Sequence, residues 1–219
     1  MNEQRQLLTE GLEAIGAVAD EEAVSRLLVY LGELRKWNKA HNLTSIKDDA
    51  GIIEKHFLDS ALYIIKGLPA EASAQDFWAG KKVLDVGSGA GFPGIVMKIL
   101  EPRINIWLME PAGKKAAFLR HVIRTLGLSG AAVLETGTKE YSAREGRQLY
   151  DVVVTRALFK AGEFVKQCLD MTAKGGYMIM SKGPGYEEEL KDVSPAPQVI
   201  FAGLPFSKAK RFFIVFRNE

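Results

Sequence analysis

A chain of 219 residues, 47% apolar and 26% charged, is long enough to bury one full-sized core, and one domain with an appendage suits that length. Its single cysteine, Cys168, excludes an internal disulfide; no apolar run approaches the roughly eighteen residues of a membrane span, and no hydrophobic signal region follows Met-Asn-Glu-Gln-Arg-Gln, so a reducing cytoplasm is expected. The net charge of +2 conceals an asymmetry: residues 1–60 carry seven Lys/Arg against eleven Asp/Glu, a net of −4, and residues 61–219 carry 22 against 16, a net of +6.

In chain order, a short amphipathic stretch near Leu7 to Ile15 comes first. A clear helix follows Asp20, a candidate cap, with Val24, Leu27, Leu28, Leu31 and Leu34 at helical spacing. Near its end Arg35, Lys36 and Lys39 bracket Trp37 and Asn38, and Lys47 and Lys55 come next. Cations interleaved with an aromatic suit phosphate contact and base stacking, although Trp37 equally completes the apolar stripe of its helix. Ile52, Ile53, Phe57, Ala61, Ile64 and Ile65 mark another helix, which carries His56, Asp59 and Ser60 away from its fully apolar face. Residues 1–75 thus read as a helical extension, with a loop at Ala70 to Ala79, ahead of a domain at 76–219.

The first strand, Val83 to Val86, runs into Gly87-Ser-Gly89-Ala-Gly91-Phe92-Pro93-Gly94. A buried strand entering alternate glycines brings bare backbone against a nucleotide-like ligand at the strand's carboxyl end. Dinucleotides and S-adenosylmethionine both use such loops. The dinucleotide fingerprint needs its third glycine at position 92, which is Phe92; Pro93 also removes a donor from the helix start that would serve a pyrophosphate. A second strand, Ile104 to Met109, ends on Glu110, placed to accept two ribose hydroxyls.

Beyond Glu110 helices and strands alternate. Helices are expected at Ala112 to Leu126, Ala161 to Met171 and Tyr186 to Val193. Strands are expected at Ala131 to Glu135, Tyr150 to Thr155, Tyr177 to Ser181, Val199 to Phe201 and Arg211 to Phe216. The total is seven strands in an α/β, doubly wound, mostly parallel sheet, with the last strand a candidate for antiparallel pairing. This is the layout of the class I S-adenosylmethionine-dependent methyltransferases. Cys168 shares helical spacing with Phe164, Val165 and Leu169 and reads as core packing.

Several separated motifs then converge. Trp37-Asn38-Lys39, Asn42-Leu43-Thr44-Ser45-Ile46, Lys55-His56-Phe57-Leu58-Asp59-Ser60, the loop Asp85 to Gly94, Phe118-Leu119-Arg120 and Thr155-Arg156-Ala157 resemble the RsmG (GidB) methyltransferases over roughly residues 30–185. The resemblance implies methyl transfer from S-adenosylmethionine to N7 of a guanosine in bacterial 16S ribosomal RNA, with the RNA or the small subunit as partner. No obligate protein partner is evident. It also implies cofactor contacts at Gly87, Phe92, Thr138, Lys139 and Arg156, beside Gly89, Gly91 and Glu110 of the glycine-loop reading. Two positions depart from the family pattern. Lys139 stands where an acid usually meets the adenine amino group, leaving that role to a backbone carbonyl or Glu140, and Glu110-Pro111 replaces Asp-Ser. Arg156 has a second reading, as ion-pair partner of Asp85 or Glu110.

Guanine N7 carries a lone pair and no proton at neutral pH, so no catalytic acid or base is assigned. His41, His56 and His121 lack a second ligand at metal spacing, and no metal is expected. RNA contacts are expected at Lys36, Trp37, Asn38, Lys39, His56, Arg120, Arg124 and Lys182, with Asn38, Asn42 or Ser181 offered to the guanine edge and Trp37 or Phe92 to stacking. Two other readings stand beside methyl transfer: an RNA- or ribosome-binding module whose Lys139 has impaired the cofactor site, and a dinucleotide-dependent oxidoreductase.

Overall fold

Apolar runs with side chains for both faces, such as Val83, Leu84 and Val86, dictate a sheet covered on two sides, and a computed structural model describes how residues 2–70 and 72–219 arrange around it. Met1 and Glu71, which fall within the expected extension and its loop, lie outside the described residues. The strands are β1 (Lys82–Val86), β2 (Asn105–Met109), β3 (Ala131–Leu134), β4 (Tyr150–Arg156), β5 (Thr172–Lys182), β6 (Gln198–Gly203) and β7 (Lys210–Arg217). They form one sheet in the order β3-β2-β1-β4-β5-β7-β6. β1 to β5 are parallel, and β7 runs antiparallel to both β5 and β6. The order reverses between β1 and β4, which opens a ligand crevice at their carboxyl ends.

Helices α1 (Asn2–Ala14), α2 (Glu21–His41), α3 (Asp49–Ile52), α4 (Asp59–Lys66), α5 (Ala74–Phe77), α6 (Gly94–Leu100), α7 (Gly113–Thr125), α8 (Thr138–Ser142) and α9 (Ala161–Cys168) complete the described elements, with short 3-10 and π turns. Asp20 caps α2 by accepting from the Ala23 amide at 2.7 Å. Val83, Ile106, Val152, Ile179 and Phe213 bury one face of the sheet in a core shared with α1, α2, α4, α6 and α7. Leu84, Val153, Met178 and Ile214 bury the other face against Phe164 and Cys168 of α9. Cys168 is fully buried there, and burial pushes its thiol pKa up.

Four expectations need correction. The helix expected from Ile52 to Ile65 contains a π turn at Ile53–Leu58, and Asp59 and Ser60 are buried against the sheet. The stretch Ala70 to Ala79 holds one helical turn, α5, beside a buried Trp78 whose indole donates to the Ile64 carbonyl at 3.1 Å. The helix expected at Tyr186 to Val193 is only a 3-10 turn, Tyr186–Leu190: the Glu189 side chain is drawn inward to the Ala161 amide and Lys182, and Gly185 enters with φ 89°. The helix expected to Met171 gives way to a 3-10 turn at Leu169–Met171.

Candidate functional site

The glycine loop is shaped by three left-handed residues, Gly87 (φ 72°), Gly89 (φ 58°) and Gly91 (φ 100°), where a side chain would be strained. Their surroundings differ. A Cβ on Gly87 would lie 2.4 Å from Leu158 Cδ2, one on Gly91 would lie 2.6 Å from Tyr30 Oη, and one on Gly89 would meet only the Gly87 carbonyl oxygen, at 3.9 Å. Gly89 therefore leaves room beside its backbone, Gly91 is where α2 approaches, and Gly87 lies beneath the loop that follows β4. The Gly87 and Ser88 amides both donate to the Met109 carbonyl, tying the loop to the end of β2.

Two acids set the loop. Glu110, 5% exposed, accepts from the Gly89 amide through Oε2 and from the Ala112 amide through Oε1, each at 2.9 Å. A carboxylate has about four lone-pair sites, so acceptor capacity for ribose hydroxyls remains. Asp85 accepts from the Gly94 amide at 3.0 Å through Oδ2, while its buried Oδ1 has no partner. Burial above all pushes its carboxyl up to about 7. An orphaned acceptor beneath a glycine loop fits a polar, cationic ligand such as S-adenosylmethionine.

The π turn supplies the opposite wall. His56 stacks on Phe92 with ring centroids 4.6 Å apart, and the Arg156 guanidinium lies 5.2 Å above the Phe92 ring. An Arg cannot accept, so the 3.0 Å contact between Arg156 Nη2 and His56 Nδ1 makes Nδ1 the acceptor. Nε2–H then donates to Thr44 Oγ1 at 2.7 Å. Burial and the Arg156 charge push the His56 pKa down to about 3, so the ring is neutral. Arg156 also donates to the Lys55 carbonyl and pairs with Asp59, whose other oxygen accepts from Arg211 Nε at 2.7 Å. Its ion-pair partner is thus Asp59, not Asp85 or Glu110.

Gly87, Gly89, Phe92, His56, Arg156 and Lys182 come together around one cavity of about 530 Å³. Glu110 adjoins it through Gly89. Thr138 and Lys139 lie apart, lining a cleft of about 220 Å³ beside α9, with the Thr138 hydroxyl bonded to Gln167. Several expected RNA contacts are already engaged. Asn38 bonds both backbone groups of Thr44, at 3.0 and 2.9 Å, so it holds the turn after α2 instead of presenting a base reader. Trp37 packs among Phe118, His121 and His41, and the face of Phe92 is covered by His56. Lys36, Arg120 and Lys182 pair with Glu33, Glu135 and Glu189, whereas Arg124 is exposed on α7. Ser181 is held by Tyr63.

The residues least visible in the sequence are two tyrosines. Tyr30 of α2 donates to the Ala90 carbonyl inside the glycine loop, and Tyr63 of α4 donates to the Thr155 carbonyl at 2.5 Å. Each has a polar tip embedded in an apolar helical stripe, which was the available signal.

A family model described as rRNA small subunit methyltransferase G, GidB, matches residues 23–205. The chain belongs to the GidB family. It is 38% identical over 177 residues to the ribosomal RNA small subunit methyltransferase G of Desulforamulus reducens, covering 80% of this chain and 70% of that one. It is 37% identical over 186 residues to that of a Roseiflexus species, covering 84% and 75%. Among solved structures, Aeropyrum pernix fibrillarin with natively bound S-adenosyl-L-methionine superposes with a TM-score of 0.54 at 18% identity, covering 72% of this chain and 74% of that one. Thermus thermophilus TrmN gives 0.55 at 15% identity, covering 84% and 53%. These two likenesses show the class I methyltransferase fold.

GidB membership sets aside the dinucleotide oxidoreductase reading and makes the cofactor S-adenosylmethionine. Glu140, beside Lys139, caps α8: its Oε2 accepts from the Gly137 amide at 3.0 Å and the Thr136 hydroxyl at 3.1 Å.

Proposed function

We propose that this protein transfers the methyl group of S-adenosylmethionine to N7 of a guanosine in small-subunit (16S) ribosomal RNA. The observation that carries the reading is the shared cavity: the glycine loop forms one side, the His56–Phe92–Arg156 stack another, and Lys55, Lys182 and Arg211 rim it. In this reading residues 1–75 are an extension that builds the acceptor wall, residues 76–219 are the catalytic domain, and the protein works in the cytoplasm, where ribosomal subunits are found.

Bound S-adenosylmethionine supplies a methyl group activated by a sulfonium. This methyl would pass to the N7 lone pair in exchange for the carbon–sulfur bond, chemistry that asks no residue to move a proton. His56 is neutral with both ring nitrogens engaged, so it acts as a flat wall. Arg156 fixes that wall against Phe92, while Glu110 and the glycine loop hold the ribose side. Alignment of this kind supplies roughly 7–11 kcal/mol of a barrier, enough to dispense with a general base.

The test is incubation with methyl-labelled S-adenosylmethionine and either naked 16S RNA or 30S subunits, followed by nucleoside mapping. Label on 7-methylguanosine is expected, and the better substrate of the two identifies the physiological one. Label on another nucleoside, on protein or on a small metabolite would refute the reading. The placement of Thr138 and Lys139 outside the cavity favours one alternative, an RNA-binding module with a weakened cofactor site; calorimetry decides it, since the module shows no binding at millimolar S-adenosylmethionine.

A further inference from the structure

The cations of this protein differ in pairing and in place. Lys36 of α2 and Arg120 of α7 are neutralised by Glu33 and Glu135, and Lys114 and Arg124 of α7, exposed without an ion pair among the described residues, line neither the cavity nor the cleft beside it. Around the segment from Asn42 to Lys47, Lys39, Lys47 and Lys55 are exposed and have no ion pair among the described residues. Lys39 and Lys47 line a cleft of about 370 Å³ together with Arg35, Asn38 and Asn42. Arg35 pairs there with Asp49 at 3.0 Å, so the cleft's free charge comes from the two lysines.

The cleft and the cavity share one wall. Thr44 lines both, and its hydroxyl is fixed from the cavity side by His56 while its backbone is fixed from the cleft side by Asn38. Asn42 holds the left-handed C-cap of α2 at φ 49°, turning the chain sharply so that the segment stands between the two openings. Lys55 lies on the cavity side of the same ridge. A strand with a base in the cavity and its sugar–phosphate chain crossing this ridge would meet the two lysines next.

Accordingly, we propose that the cleft of Lys39, Lys47, Arg35 and Asn42 is a phosphate subsite for the RNA backbone next to the target nucleotide, with residues 42–46 as the ridge that the strand crosses. The proposal rests on the RNA-methyltransferase reading for the identity of the polyanion. It differs from an even spread of contacts over every basic residue: two lysines of a cleft that shares a wall with the cavity carry the anion, while the basic face of α7, which lines neither opening, does not.

The test uses the full chain and a fluorescein-labelled hairpin RNA with a guanine-containing single-stranded loop, read by anisotropy at salt concentrations from about 50 to about 300 mM. The double variant K39Q/K47Q is compared with K82Q/K174Q, which removes the same charge at the amino edge of the sheet, where β1 and β5 begin. Two lost phosphate contacts predict about tenfold weaker RNA binding near 0.15 M salt and a salt slope shallower by about 1.4. K82Q/K174Q should bind within twofold of wild type. In methylation assays with 30S subunits the cleft variant should raise KM about tenfold with kcat and S-adenosylmethionine affinity unchanged. Equal affinity and slope for the cleft variant and wild type, or equal losses in both double variants, would overturn the subsite. Failure of the wild-type protein to methylate ribosomal RNA would instead overturn the functional reading, and the anisotropy comparison would still judge the cleft.

Discussion

Two buried groups at the cavity titrate in opposite directions, and replacing one exposes the other. His56 has an ordinary pKa of 6.5 and is held near 3 in the fold by burial and Arg156. Between these values the unfolded chain takes up a proton that the folded chain refuses, so acidification favours unfolding, and by pH 5 this amounts to about 2 kcal/mol relative to pH 8. Asp85 works the other way: its ordinary value of 3.8 rises to about 7 on folding, so the folded chain protonates first and gains about 2–3 kcal/mol over the same interval. The two nearly cancel in the wild-type protein. His56→Gln keeps an acceptor for Arg156 and a donor for Thr44 but cannot titrate. Its unfolding free energy should therefore improve from pH 8 to pH 5 by about 2 kcal/mol more than that of wild type. Asp85→Asn should show the opposite difference. Urea unfolding at pH 5, 6, 7 and 8, followed by the fluorescence of Trp37, Trp78 and Trp107, measures both. Parallel stability profiles for His56→Gln and wild type would refute the claim that His56 is neutral because it is buried against Arg156.

Asp59→Asn removes the charge shared by Arg156 and Arg211 and leaves both guanidinium groups without a carboxylate. A loss of about 3 kcal/mol is expected, which calorimetry should register as a Tm lower by roughly 6–12 °C. Gly91→Ala places a Cβ 2.6 Å from both Tyr30 Oη and Ile95 Cγ1 at φ 100°, whereas Gly146→Ala at φ 64° meets nothing within 4 Å. The first should cost roughly 2–3 kcal/mol and weaken S-adenosylmethionine binding, the second about 1 kcal/mol with binding unchanged. Lys139 lines a cleft apart from the cavity, so Lys139→Asp should leave S-adenosylmethionine affinity within about twofold by calorimetry; several-fold tighter binding would instead put the adenine beside α8.

The sheet was legible because its signals are local. Val83, Leu84 and Val86 are apolar on both faces, as a buried parallel strand must be, and the glycines after them need left-handed backbone that the spacing alone announces. Glu110 was legible for the same reason, at the end of the next strand. The short 3-10 turn at Tyr186–Leu190 was not, because Glu187 and Glu188 favour a helix locally while Glu189 is captured by Lys182 and by the Ala161 amide, 28 residues away on another helix. The α8 cap is different, because Glu140 stands three and four residues from Gly137 and Thr136, a local spacing that the sequence held in view.

The site's acceptor wall was illegible for a more instructive reason. Asp59, Tyr63 and Tyr30 stand in helices whose apolar stripes predict packing, and in a helix seen alone a polar group near such a stripe reads as its solvated margin. Here the stripe packs on a sheet whose carboxyl edge presents bare carbonyls, at Ala90 and Thr155, and two arginines. Leaving those carbonyls unpaired in the interior would cost about 1–3 kcal/mol each. The two tyrosines pair them, and the π turn at Ile53–Leu58 lies between Tyr30 and Tyr63 in the chain, carrying His56 to Phe92 and ending at Asp59, which meets Arg156. The helical extension is thereby fastened to the end of each strand that forms the crevice. Tyr30 thus ties the glycine loop to α2, whose last turn carries Lys39 of the lysine-lined cleft. If that tie couples the two sites, S-adenosylmethionine should raise RNA affinity in wild type and less so in Tyr30→Phe, measured by anisotropy with and without cofactor; the same ratio in both proteins would refute the link.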